Sequence, residues 1–243
     1  MSTVGKKICF SVSILVLALV TFAYHQRVTI SMMYANPELT GNDPWLHAVP
    51  RPLLDLRATD DPGTQIKAFG FEFEVPWKGS ETPVRGEFIK RFSFEEDRVV
   101  ALWNPSTDPN FAALLRSEGL SRILGRDAVN SRYSLEAATL NATPHPINLF
   151  TPPSESIRQF ILLTQKSAEE HRGTVDILSV ASHDLRGFQI GDPARVSSVL
   201  LLLFDKSDDE LEVLVFKNPK TKSRITQGDV NRIIQTIHST SSH

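Results

Sequence analysis

The chain has 243 residues, 26 of them basic and 28 acidic, for a net charge of −2. A balanced, slightly acidic surface lacks the concentrated basic face that nucleic acid needs, so nucleic acid is not an expected partner. The one cysteine, Cys9, lies near the N-terminus. That excludes disulfides and cysteine-ligated zinc from the rest of the chain, whose ~190-residue globular part must be held by its apolar core.

Residues 1–7 include Lys6 and Lys7, and Ile8–Tyr24 is a run of 17 residues without charge. As a helix it would rise ~26 Å, close to the lower limit for crossing a ~30 Å hydrocarbon core. It is longer than a usual export-signal core, and Thr21-Phe22-Ala23 is a poor small-x-small cleavage site. The expectation is a retained transmembrane helix over 8–24, with the basic n-region 1–7 in the cytoplasm. The membrane is then the first partner, and the C-terminal part is extracytoplasmic (periplasmic if bacterial). A cleaved signal and a secreted domain is the alternative. Cys9 stands at the start of the run, whereas a lipidated cysteine would follow it. Without Lys6 and Lys7 the balance is 24 basic to 28 acidic, near −4.

Residues 25–64 contain Pro37, Pro44, Pro50, Pro52 and Pro62. Proline removes backbone donors and disfavours regular structure, so this segment reads as a tether. Trp45, Leu46, Leu53, Leu54 and Leu56 could rest on the domain or the membrane surface. The domain is expected at 65–243, and a chain starting at Gln65 is expected to fold alone.

Ile66–Val75 reads as one strand, with Phe69, Phe71, Phe73 and Val75 on one face. Pro76-Trp77 ends it and Lys78-Gly79-Ser80 turns the chain. Phe88–Phe94 and Arg98–Trp103 form a hairpin through Glu95-Glu96-Asp97. A helix is expected from Asp108 or Pro109 to near Gly119, and a weaker one over Asp127–Thr139. Ser154–Glu170 reads as a strong helix, with Ser154 as cap and Ile157, Phe160, Ile161 and Thr164 on its inner face. Val175–Ser182 and Leu185–Ile190 are strands. Val199–Phe204 is continuously apolar, which suits a central strand covered on both faces. Leu211–Phe216 pairs with it across a loop whose Asp208-Asp209-Glu210 reads as a solvated turn. Thr226-Gln227-Gly228-Asp229 reads as a capping box. Val230, Ile233, Ile234 and Ile237 then follow at helical spacing, so this last helix must pack on the sheet. The class is α+β: antiparallel strands covered by helices.

Gly70-Phe71-Glu72-Phe73-Glu74-Val75-Pro76-Trp77 resembles the glycine, short strand, proline, tryptophan opening of the PsbP/Mog1-like superfamily. Arg186-Gly187-Phe188, the long apolar strand, the polar hairpin, a second strand and the terminal helix opened by a threonine resemble its ending. The resemblance covers roughly residues 65–240. It implies an αβα sandwich with a mainly antiparallel sheet and a mostly non-enzymatic role, as in thylakoid-lumen photosystem subunits, a Ran-binding protein and exported bacterial proteins. The helical middle, 108–170, is longer than the family pattern, so no binding surface is carried over.

The seven histidines show neither the i, i+4 spacing of a helical zinc site nor the His-x-His of a strand site. His183 and Asp184 are adjacent, and neighbours on a strand point to opposite faces. The sequence has no nucleophile elbow and no phosphate-binding glycine loop. Ser156 lies on a helix with no base near it in sequence. No catalytic, cofactor or metal residues are assigned. Lys217, Lys220, Lys222 and Arg224 form the one local charge concentration, a candidate patch for an acidic partner or lipid headgroups. The expectation is a membrane-anchored binding or assembly-support domain with an unidentified protein partner. An exported hydrolase with an unsignalled site is the alternative.

Overall fold

The computed structural model describes residues 21–27, 29–31, 43–60, 63–80, 89–105, 122–125, 130–168, 175–182, 184–217 and 224–240. Its elements run in the order α1 (Pro44–His47), β1 (Arg51–Pro52), β2 (Thr64–Ala68), β3 (Phe71–Val75), β4 (Gly79–Ser80), β5 (Ile89–Phe94), β6 (Arg98–Trp103), α2 (Arg132–Asn141), α3 (Pro153–Ala168), β7 (Ile177–Ala181), β8 (Arg186–Ile190), β9 (Ser198–Phe204), β10 (Glu210–Lys217), α4 (Gln227–Thr236) and β11 (His238–Ser239). The fold is α+β. The expected helix at 108–119 lies outside the described residues. Most of the uncharged N-terminal run does too, only Thr21–Tyr24 being described. Among the described residues no helix is long and apolar enough to cross a membrane.

Eight strands form the main sheet in the order β1-β7-β8-β9-β10-β6-β5-β4. Every neighbouring pair is antiparallel except β1 with β7. β9 lies in the middle, and its apolar run serves two cores by alternation. Val199, Leu201 and Leu203 face a core shared with α4, β2 and β3. Leu202 and Phe204 face a second core with α1, α2 and α3. The reading of Val199–Phe204 as a central strand covered on both faces therefore holds. Gly187 on β8 is required here: a Cβ would lie 1.9 Å from the Leu202 carbonyl oxygen.

Ile66–Val75 is a hairpin rather than one strand. Phe69 (φ 53°) and Gly70 (φ 79°) both adopt left-handed backbone, as a two-residue hairpin turn demands. β2 and β3 pair antiparallel on either side of it, and β11 joins β3 to complete a second, three-stranded sheet. Asparagine or aspartate usually marks such a turn, and phenylalanine in that position masked it in the sequence.

α4 matches its expectation. The Thr226 hydroxyl accepts from the Asp229 amide (3.1 Å), and the Asp229 carboxylate accepts from the Thr226 amide (2.8 Å). Val230, Ile233, Ile234 and Ile237 are all buried in the first core. Ile234→Ala is expected to cost ~2–5 kcal/mol, as for other buried large-to-small changes. Gln235 is exposed and donates one hydrogen bond to the Leu56 carbonyl, so Gln235→Ala should cost no more than ~1 kcal/mol. Thermal melts of the two variants check this, and equal shifts would mean that α4 is not docked.

The proline-rich segment is not a tether over its described length. Residues 43–60 form a belt around one edge of the sheet. Trp45 and Leu46 are buried in the second core, on the helical face. Arg51-Pro52 pairs with β7, and the Leu53 amide continues that ladder to the Ser179 carbonyl (3.0 Å). Leu53 then packs against the first core, on the opposite face. Fully buried Asn231 of α4 donates to the carbonyls of Asp55 (2.9 Å) and Arg57 (2.8 Å). The prolines limit regular structure to the short α1 and β1, and side chains and edge pairing fix the rest of the path. Asp55 is salt-bridged to Arg57, whose guanidinium bonds lower its carboxyl to a pKa of about 2. Both groups are exposed, so that pair adds little to stability.

Candidate functional site

α3 supplies the polar side chains of the helical face. It starts at Pro153, where a missing amide hydrogen costs nothing, and Glu155 lies in its first turn. The buried line is Ser156, Gln159, Leu162, Leu163 and Lys166. This corrects the expected inner face: Ile157, Phe160 and Ile161 are only half-buried, and Thr164 is exposed. The helix is rotated because its polar side chains find backbone partners inside. The Lys166 ammonium, fully buried, donates to four carbonyls: Leu46 (3.1 Å), Ala48 (2.6 Å), Leu140 (2.9 Å) and Ala142 (2.7 Å). These carbonyls belong to the C-terminal ends of α1 and α2, where the helix dipole favours a cation. Trp45 Nε1 returns a hydrogen bond to the Lys166 carbonyl (2.7 Å).

A cleft of about 310 Å³ opens beside this cage, between the end of α2, the loop after it and the first half of α3. His145 Nε2 lies 4.0 Å from Glu155 Oε1, and Arg158 approaches the same oxygen at 3.6 Å. Gln159 lines the cleft and is only 5% exposed. Its Nε2 donates to the His145 carbonyl (2.9 Å), while its Oε1 is buried without a hydrogen-bond partner among the described residues. A buried acceptor left unsatisfied costs ~1–3 kcal/mol. The rim of the cleft carries both signs of charge. Sequence reading missed this group, because His145 and Glu155 are ten residues apart across three prolines. No local signal marked it, since Gln159 lies on the face that the helical pattern assigns to solvent.

The Ser156 hydroxyl lies one residue from Glu155 but turns inward. It bonds the Pro152 carbonyl (3.2 Å) and Thr29 Oγ1 (3.3 Å) and is fully buried. Thr29 in turn donates to the Thr151 carbonyl (3.1 Å) and to Gln26 Oε1 (3.0 Å). Gln26 and Thr29, just after the uncharged run, are thereby docked against the start of α3.

The acidic turn is more than solvated. Asp208 accepts from the Ser131 hydroxyl (2.9 Å), from the Arg132 amide and from the Tyr133 amide (3.2 Å), so it caps α2 from across the sheet. Arg132 pairs with Glu210 at 2.8 Å, and both side chains are largely buried. Tyr133 stacks on Phe188 with the Arg186 guanidinium 4.0 Å from its ring centroid. Only Asp209 remains exposed. Partial burial and then the neighbouring Asp205 raise its pKa.

Of the basic loop, Lys217 ends β10 and Arg224 is exposed before α4, while Lys220 and Lys222 lie outside the described residues, as does His183. Among the described residues no group of three or more His, Cys, Asp or Glu is placed to hold a metal. In comparisons with known proteins, the chain matches no family model and no curated protein.

Proposed function

We propose that the chain is a membrane-anchored, extracytoplasmic binding or assembly-support domain of the PsbP/Mog1-like type, with the α2–α3 cleft on its binding face. The observation that carries this reading is the docking of residues 21–31 on Thr151 and Ser156. The run that reads as an anchor leads without slack into the corner of the domain that holds the cleft. A sheet with a core on each face supports the αβα sandwich that the resemblance implies. The hydrolase alternative would need a nucleophile beside His145. The adjacent serine is buried and bonded elsewhere, so the binder is preferred.

The full chain is expected to sediment with membranes and to resist extraction by high salt and carbonate, since an apolar span is insensitive to screening. Protease added to the extracytoplasmic side of sealed vesicles should digest the domain. A shortened soluble form beginning near Tyr24 would replace the anchor with a cleaved signal. Protection of the domain from external protease would reverse the orientation.

A further inference from the structure

We propose that the turn at Leu149-Phe150 is a second membrane contact that lays the domain against the bilayer surface, beside Phe22 and Tyr24 at the end of the anchor. Phe150 is 86% exposed and Leu149 45% exposed. An apolar tip this exposed is not unusual on a mobile loop, but this one is fixed. The Phe150 amide donates to the Asn148 side chain (2.8 Å), the Asn148 amide to the Thr151 hydroxyl (3.0 Å), and the Thr151 amide to the Asn148 carbonyl (2.9 Å). Three short bonds thus hold a phenylalanine out in water.

The same corner holds more exposed aromatic surface. The Thr151 carbonyl accepts from Thr29, which ties the turn to residues 21–31. On that segment Phe22 is 41% and Tyr24 66% exposed, with the Arg27 guanidinium 4.4 Å from the Tyr24 ring centroid. Phe22 lies seven residues before Thr29, about 10 Å along a helix. Aromatic rings with a neighbouring arginine are the side chains that settle at the headgroup level of a bilayer. The occupant follows from the chain itself: the residues before Thr21 continue the uncharged run, so the surface nearest this corner is the one that run enters. The local charges are mixed, Arg27 and Arg158 against Glu155. The contact is therefore apolar and does not require anionic lipid. This inference rests on reading residues 8–24 as a retained anchor.

The test uses the full chain in phosphatidylcholine vesicles, with Cys9→Ser and a single Phe150→Cys carrying an environment-sensitive fluorophore. A second labelled chain carries Ile89→Cys on β5, far across the sheet from α3. The label at 150 should shift to the blue and be quenched by lipids spin-labelled near the headgroup, about 5–10 Å deep, at low and high salt alike. The label at 89 should show neither change. Vesicle-bound protein with an unquenched label at 150, or with equal quenching at both positions, overturns the contact while leaving the anchor intact. Protein that does not float with the vesicles overturns the anchor reading itself.

Discussion

A chain that begins at Gln65 is expected not to fold, whereas one that begins at Thr21 folds. The shorter chain loses Trp45 and Leu46 from the second core, and removing one such aromatic side chain alone costs ~3–5 kcal/mol. It also loses the Leu46 and Ala48 carbonyls that take up Lys166, the β1 ladder along β7 and both acceptors of Asn231. Each buried donor left without its partner costs ~1–3 kcal/mol more. The sum exceeds most of a typical stability of ~5–15 kcal/mol. Circular dichroism and a thermal melt of the two chains decide it. A soluble, cooperatively melting chain from Gln65 would show that the belt is dispensable.

Lys166→Met should have the largest effect of any single substitution on α3. Methionine keeps the volume of the lysine stem but removes all three donors. Four carbonyls then face an apolar side chain, at ~1–3 kcal/mol for each one that finds no water. Part of this is returned because no ammonium has to be desolvated. A net loss of ~3 kcal/mol would lower the melting temperature of a chain this size by about 6–12 °C. Lys206→Met is the matched control. Lys206 makes an exposed 2.6 Å pair with Asp184, a kind of contact worth ~1 kcal/mol at most. Similar melting temperatures for the two variants would mean that the carbonyl cage contributes nothing.

These two predictions concern features that the sequence did not disclose, and the reasons differ. Periodicity reports burial within one element. It therefore located β6, β9, β10 and α4 to within a residue or two, since their inner faces are apolar and regular. It cannot report what a polar residue meets far along the chain. Lys166 and Gln159 sit where an amphipathic helix would put solvent-facing groups, yet they are buried because carbonyls of other segments converge on them. Asp208 looked solvated because its partners, the amides that open α2, lie 76 and 75 residues away. The prolines of the belt signalled little regular structure, and only the short α1 and β1 form there. The scattered apolar residues of the belt were expected to rest on the domain or the membrane surface, but burial of Trp45 and Leu46 in a core was not expected. Phe69 hid a turn because left-handed backbone is rare for a bulky side chain. Of the cleft, only the residue types could be read, since its geometry depends on how α2 and α3 meet.

The belt also sets the order in which the molecule can be finished. Its first residues leave the ribosome early, but Asn231 and Gln235 lie 174–179 residues further on. At ~5–20 residues per second, those partners arrive on the order of 10–30 s later. For that interval the stretch from Asp55 to Arg57 lacks the helix that ties it down, although the second core that takes Trp45 and Leu46 is complete once Phe204 is made. Contacts of such long sequence separation are also among the slowest to form. Tying down the end of the belt is thus the closing step of folding: a segment made early is locked last, by the helix made last. A chain released short of α4 would leave the first core uncovered and Asp55 to Arg57 untied, which marks it as unfinished to any factor that binds unfolded protein.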